Sequence, residues 1–286
     1  MSGGFIAQVP LRWSDLDAQG HVNNALVADY LQEARVDFLL SGDNAHLLGS
    51  STIVVSHQVE FLRPIRFSAR PVEVAVRVGQ VGAATINLGY KVRHDDELAA
   101  RARTQLAIVR SGRPRRMTPA EREWFASRSL PLGPLRDLGQ WTVGEQAHSY
   151  DLRVRWSDLD PYRHVNNVRA FDFVAEARNR LNPDGEQLTR MEAAAAASQT
   201  WMVARQDVRY LAEITHRLEP YRVRTGYAAV GRTSMTLVAQ IEDPLDGRVL
   251  VRTTTVLVCG DAEGNPIPVP DSVRRGLERW PATRLD

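Results

Sequence analysis

The sequence predicts an α+β protein built twice, each half a long helix packed against an antiparallel β-sheet. Three observations carry that prediction. Arg12-Trp13-Ser14-Asp15-Leu16-Asp17, three residues, and His21-Val22-Asn23-Asn24 recur as Arg155-Trp156-Ser157-Asp158-Leu159-Asp160, three residues, and His164-Val165-Asn166-Asn167, an offset of 143 residues (Trp13 to Trp156) in a chain of 286. Such a repeat constrains the architecture before any element is assigned. Each copy then runs into one segment of helical period carrying Glu-Ala-Arg, at 33–35 and 176–178. After each helix the main segments alternate apolar and polar residues, as half-buried strands do. A single apolar helix beside an antiparallel sheet is an arrangement in which the sheet wraps the helix.

Taken in order, residues 6–14 read as a strand, with Pro10 marking an edge or a bulge because proline cannot donate to a ladder. Asp17 to Asn23 form a polar loop containing Gly20. From Asn24 to about Leu40 the period is helical, with Val27, Tyr30, Leu31, Ala34 and Phe38 on one stripe and Asp29, Gln32 and Asp37 off it. Asn23 or Asn24 supplies the N-cap, since an Asn oxygen accepts an orphan amide of the first turn. Strands follow over Thr52–Leu62 (Ile53, Val55, Val59 and Phe61 against His57, Gln58 and Glu60), Val72–Val81, Thr85–Arg93 and Leu98–Val109. Thr118-Pro119 opens a short helix to Ser127.

Leu130-Pro131-Leu132-Gly133-Pro134-Leu135 breaks every period, so 129–147 is read as a linker between a domain over 1–128 and a second over 148–286. The second half repeats the order: a strand near Tyr150–Trp156, the motif, and a helix to about Leu181 with the stripe Ala170, Phe173, Val174, Ala177 and Leu181. Strands over Met202–Leu211, Tyr221–Tyr227, Ser234–Ile241 and Val249–Val258 and a helix over Asp271–Trp280 complete it. Past the long helix the offset grows to 149 (Gly82 to Gly231), through a longer connection containing Ala193–Ala197. Each half leaves a long strand edge open, and two such halves can pair edge to edge about a pseudo-twofold axis.

Composition narrows the function. Apolar residues make up 43% and charged residues 24%, as in ordinary globular domains. A net charge of +2 argues against nucleic acid as the main partner. Lys91 is the only lysine among the basic residues and Cys259 the only cysteine, which excludes an intramolecular disulfide and a cysteine-rich metal site. Neither a signal peptide nor an apolar run of membrane-spanning length is read, so a cytoplasmic protein without cofactor or metal is expected.

The repeated motif suits acyl transfer to water. Asp17 and Asp160 each lie just ahead of a helix N-terminus, which carries about half a positive charge and several unpaired N–H groups. A thioester oxygen placed there would be stabilised as it gains charge. A carboxylate can act as general base on water or attack the carbonyl itself. His21 and His164, four residues on, are suited to orient that carboxylate or relay a proton. The bland reading is that the Asn pair caps the helix and Asp-Leu-Asp makes a turn. It accounts less well for Asp and His keeping type and spacing while the surrounding sequence has drifted. No Gly-x-Ser-x-Gly elbow, Gly-rich phosphate loop or His/Cys metal spacing competes.

Trp-Ser-Asp-Leu-Asp-x-x-x-His-Val-Asn-Asn followed by a helix with Glu-Ala-Arg resembles the hotdog-fold thioesterases, closest by motif to acyl-CoA hydrolases of the 4-hydroxybenzoyl-CoA thioesterase type and to acyl-ACP thioesterases. The resemblance implies a double hotdog, with Asp17 and Asp160 as catalytic carboxylates. It places oxyanion donors at the helix starts, around Asn23, Asn24, Asn166 and Asn167, and implicates His21 and His164. It also implies sites at the junction of two hotdog units. The second copy departs at Arg163, where Gly20 and many relatives have glycine. The acyl-ACP branch carries a Glu in a following strand motif, which Glu213 matches in the second half; the first half has Pro64 there. Retention of the motif in both halves favours acyl-CoA over acyl-ACP as substrate, and a homo-oligomer of double-hotdog units is compatible with the family.

Lesser candidates each have a plainer reading. Glu33 and Glu176 suit ordinary solvated helix carboxylates better than catalysis, Asp29 and Asp172 a supporting role, and His57 a structural one. Arg113, Arg115 and Arg116 are candidates for the phosphates of coenzyme A. Cys259, in an apolar strand, reads as core. Two further functions compete. Hotdog hydratases resemble Asp-x-Asn-Pro-x-His, where the His is five residues after the Asp rather than four. A non-catalytic acyl-CoA-binding regulator would need an attached DNA-binding helix pair.

Overall fold

The computed structural model describes residues 4–17, 19–48, 51–181 and 200–285. The chain divides into two compact units, Met1–Leu135 and Arg136–Asp286. The first holds β1 (Phe5–Val9), α1 (Asn24–Leu40), β2 (Thr52–Phe61), β3 (Val72–Val81), β4 (Thr85–His94), β5 (Glu97–Arg110), the two-residue β6 (Arg113–Pro114) and α2 (Pro119–Ala126). Its sheet runs β1-β3-β4-β5-β2, with every pair antiparallel. The predicted stripe of α1 is buried throughout: Val27, Tyr30, Leu31, Ala34 and Phe38. The helix packs against β1 and β3, and Val72, Val74, Val76 and Val78 are buried at alternate positions of β3. Each large apolar side chain contributes about 1.5–3 kcal/mol on burial, so this stripe rather than helix propensity holds α1 in place. Thr118 caps α2 in a capping box with Glu121.

The second unit holds β7 (Trp141–Val143), β8 (His148–Leu152), α3 (Arg169–Asn179), β9 (Thr200–Tyr210), β10 (Tyr221–Val230), β11 (Ser234–Glu242), β12 (Val249–Gly260), α4 (Asp271–Arg279) and β13 (Ala282–Arg284). Its sheet runs β8-β10-β11-β12-β9. The duplication extends to the register. Val9 pairs with Val72 and Phe5 with Val76, while their counterparts Leu152 and His148 pair with Tyr221 and Thr225.

Several elements differ from expectation. The first strand of each half stops at Val9 and Leu152, short of Ser14 and Trp156. Trp13–Asp15 and Trp156–Asp158 instead wind into a 3₁₀ turn, because the Arg12 and Arg155 N–H groups donate to the carboxylates of Asp15 (2.9 Å) and Asp158 (2.7 Å). In β2 the register shifts between Val54 and Ser56, so Ile53 is exposed while His57 is buried along with Val59. Residues 129–147 are not free of structure. Leu130 N–H bonds Val78 O at 2.8 Å, and the Leu132 side chain lies over Gly79 and Gly89, where an added Cβ would come within 2.6 and 2.5 Å of it. Further on, β7 pairs with β13. The connection containing Ala193–Ala197 lies outside the described residues. Among the described residues no helix is long and apolar enough to cross a membrane.

Candidate active site

The first motif folds back on itself through three backbone rungs. Asn23 N–H bonds Asp15 O (2.9 Å), Leu16 bridges Val22, and Asp17 N–H bonds His21 O (2.8 Å). Asp17 therefore sits opposite His21, two residues before the cap of α1. Its Oδ1 accepts from the Gln19 N–H at 2.8 Å and the His21 N–H at 3.3 Å, a turn that fixes the carboxylate orientation. Among the described residues no bond reaches its Oδ2, so one oxygen is held and the other is unbonded. Asn23 caps α1, its Oδ1 accepting from Ala25 N–H at 3.0 Å. The Asn24 N–H, at the positive end of the helix, has no partner among the described residues. Val22 N–H bonds Ile65 O at 2.9 Å, tying the loop to the segment after β2.

The second motif repeats this almost bond for bond. Asn166 N–H bonds Asp158 O (2.9 Å), Leu159 bridges Val165 and Asp160 N–H bonds His164 O (2.8 Å). Asp160 Oδ1 accepts from Tyr162 N–H at 2.8 Å and His164 N–H at 3.2 Å. Arg163 adopts φ 66°, close to the 73° of Gly20, so the bulkier residue keeps the same turn. A Cβ at Gly20 would meet nothing within 4 Å, which explains why arginine fits sterically in the repeat. Left-handed backbone costs a non-glycine residue about 1–2 kcal/mol. His164 Nε2 lies 3.3 Å from Glu213 Oε2, so the structure brings these two candidates together; Pro64 leaves His21 no carboxylate from the matching position.

Beneath the loops the copies diverge. Asp15 is buried and accepts from the Tyr30 hydroxyl at 2.7 Å; burial, this bond and the Asp15 charge together push the Tyr30 phenol well above its ordinary range. Phe173 occupies the Tyr30 position in the repeat. Conversely, the Tyr210 hydroxyl donates to the Asn167 carbonyl at 2.6 Å, where the first half has Phe61. The Asn167 carbonyl thus accepts from Tyr210 as well as from the helix, and the first turn is tight: Arg169, Ala170 and Phe171 N–H groups bond three residues back, to Asn166, Asn167 and Val168. As a result α3 begins at Arg169, two positions later in the repeat than α1. Asn166 Oδ1 still accepts from Val168 N–H, at 3.3 Å.

The other candidates have surroundings of their own. Glu33 and Glu176 are exposed. Asp172 is paired with Arg169 at 3.0 Å, and burial raises its pKa. Arg115 is taken up by Glu121 in a two-pronged pair, both bonds 2.7 Å, which holds the Glu121 carboxyl well below its ordinary range; Arg113 and Arg116 remain exposed. His57 is buried, with Nδ1 2.9 Å from Thr104 Oγ1. Cys259 is fully buried and its thiol pKa is raised by that burial. Among the described residues no three His, Cys, Asp or Glu side chains are grouped to hold a metal ion.

Sequence reasoning missed Tyr30, Tyr210 and the exposed aromatic pairs beside each loop. Trp13 is 75% exposed and edge-on to Phe67, at 5.3 Å; Trp156 is 72% exposed and edge-on to His216, at 5.4 Å. Phe67 and His216 occupy matching positions of the repeat, the signal that would have found them.

A family model described as the thioesterase-like superfamily matches residues 11–128 and again 154–277, covering both loops. The chain belongs to the thioesterase-like superfamily. Solved structures with similar folds include a protein described as an oleoyl thioesterase from Lactobacillus plantarum (TM-score 0.72, 16% identity, 94% of this chain and 98% of that one). An acyl-ACP thioesterase from Bacteroides thetaiotaomicron matches with TM-score 0.65 and 14% identity over 88% of this chain and 96% of its own. The 12:0-ACP thioesterase from Umbellularia californica matches with TM-score 0.67 and 19% identity over 89% and 97%. Matches over nearly the full chain identify the fold as a double hotdog. A curated relative, the uncharacterized protein YsmA of Bacillus subtilis, is 27% identical over 93 residues, 31% of this chain. That match spans 60% of the relative's length.

Proposed function

We propose that this superfamily member hydrolyses acyl-CoA thioesters to a free acid and coenzyme A. The observation that carries the reading is the loop built twice with one bonding pattern, a carboxylate locked by two amides ahead of a helix start. In the first loop the thioester carbonyl oxygen accepts from the Asn24 N–H. Asp17 removes a proton from water as the water oxygen bonds the carbonyl carbon, and the C–S bond then breaks with the proton passing to the departing sulfur. Direct attack by Asp17, giving an anhydride that water opens, conserves the same atoms. Asp160 and the amides around Asn167 have the same roles in the second loop. His21 and His164 orient the carboxylate or relay the proton. General base catalysis is worth about 10²–10⁴ in rate, and one oxyanion donor about 3–4 kcal/mol. The exposed Arg113 and Arg116 are available to the coenzyme A phosphates.

The motif retained in both halves supports coenzyme A as the carrier. The pairing of His164 with Glu213 favours a second reading, acyl-ACP, because that branch carries a Glu in the matching strand motif. The proteins named as acyl-ACP thioesterases that share the fold lend it weight. Thiol release measured across a panel of acyl-CoAs, and across the same acyl groups on acyl carrier protein, tests both. Faster release from coenzyme A is expected. Release only from the carrier protein would replace the first reading with the second, and release from neither would end both.

A further inference from the structure

The outer face of the first unit's sheet, opposite the side that buries α1, carries a cavity of about 210 Å³ walled by Pro131, Leu132, Gly133 and Leu135. Two cross-strand rows form its floor. In one, Ala75, Lys91, Arg101 and Glu60 stand opposite one another on β3, β4, β5 and β2; in the next, Arg77, Gly89 and Arg103 do so. Lys91 and Arg101 are thus directly opposed, and like charges so placed weaken a sheet. Glu60 neutralises only Arg101, accepting from its Nε at 2.8 Å. Arg103 donates to the Gly133 carbonyl at 2.5 Å, fixing the wall. Arg77 and Lys91 have no acidic partner among the described residues. Leu132, Leu135 and Ala75 make the rest of the lining apolar.

The matching row of the second unit is cationic too, Arg224, Gln240, Arg252 and Arg209 standing opposite one another, but an arginine stands in it where the first unit has Ala75. At the positions of Ala75, Gly89 and Lys91 it has Arg224, Val238 and Gln240. Arg224 there donates to the Gly144 and Glu145 carbonyls (2.6 and 2.8 Å) and lies 3.6 Å from Glu242. The first unit instead keeps the gap open and leaves two cations at its mouth.

We propose that this cavity binds a small organic anion, its carboxylate or phosphate head between Arg77 and Lys91 and its short apolar body against Leu132 and Leu135. The cavity is large enough for a head group with a short chain. The proposal does not rest on the hydrolysis reading, although the acid such a reaction releases is one member of the class.

Isothermal titration of the full chain with octanoate, hexyl phosphate and inorganic phosphate separates the sources of the anion. One equivalent of octanoate or hexyl phosphate is expected to bind, with inorganic phosphate weaker by roughly tenfold. Arg77→Ala with Lys91→Ala should weaken binding by roughly tenfold or more, and Ala75→Arg, which imitates the second unit, should do the same by filling the cavity. The double alanine variant should melt at or above the wild-type temperature, since it relieves repulsion, whereas Ala75→Arg, which sets a cation opposite Lys91, should melt somewhat below it. Asp17→Asn with Asp160→Asn should bind as wild type does. Binding unchanged in the cavity variants, binding lost in the Asp variants, or no binding by about 10 mM would each overturn the proposal, and inorganic phosphate binding as tightly as octanoate would remove the role of the apolar body.

Discussion

In the first copy of the motif Asp15 is buried under Tyr30, whose hydroxyl donates to it at 2.7 Å, and α1 starts at Asn24 with a side-chain cap. In the second copy the tyrosine has moved: Phe173 replaces Tyr30, while Tyr210 replaces Phe61 and draws on the Asn167 carbonyl from β9. Gly20 has become Arg163 without changing the turn. Yet Asp17 and Asp160 keep the same two amide donors. The difference teaches that loop geometry is set by bonds inside the loop, and that its support from below is interchangeable. A carboxylate held by its own turn survives changes in the packing beneath it.

Four substitutions sharpen this comparison. Tyr30→Phe removes a hydrogen bond to a buried carboxylate and should cost about 1.5–3 kcal/mol, read by urea unfolding; Phe173→Tyr should not cost that much. A loss below about 0.5 kcal/mol for Tyr30→Phe would mean that the first loop is as independent of its support as the second. Tyr210→Phe should cost about 1 kcal/mol and let α3 start nearer Asn167, seen as new i−4 hydrogen bonds for Phe171 by amide exchange or crystallography. An unchanged helix start would break the link drawn between that hydroxyl and the tighter first turn. Arg163→Gly relieves left-handed strain but adds unfolded-chain freedom, so a net gain of at most about 1 kcal/mol in thermal unfolding is expected. A loss would show that the Arg163 side chain has a stabilising partner of its own.

The repeat made most of the fold legible. The α1 stripe, the Thr118 cap and the succession of strands along the chain followed from period and turn residues, because each depends on neighbours close in sequence. What escaped depends on contacts, near or far in sequence, that hydrophobic period does not encode. The stop at Val9 and Leu152 arises from backbone donors meeting Asp15 and Asp158. The burial of His57 follows a bulge that alternation cannot reveal. The strand at Trp141–Val143 exists only because Ala282–Arg284 returns to pair with it. In the candidate site, the position of Asp17 and Asp160 ahead of each helix and the Asn23 cap of α1 were legible from spacing. The tyrosine exchange was not, since Tyr210 reaches its partner across 43 residues.

The central claim is that Asp17 and Asp160 are the reacting carboxylates, each in its own loop. The direct test is thiol release from a single acyl-CoA turned over by the wild type, by Asp17→Asn, by Asp160→Asn and by the double variant. Asparagine keeps the Oδ1 acceptor and hence the turn, so the folded state should persist and the chemistry alone should change. The account predicts a partial loss in each single variant and a fall of about 10²–10⁴ in kcat in the double variant. A double variant that turns over at the wild-type rate would contradict it.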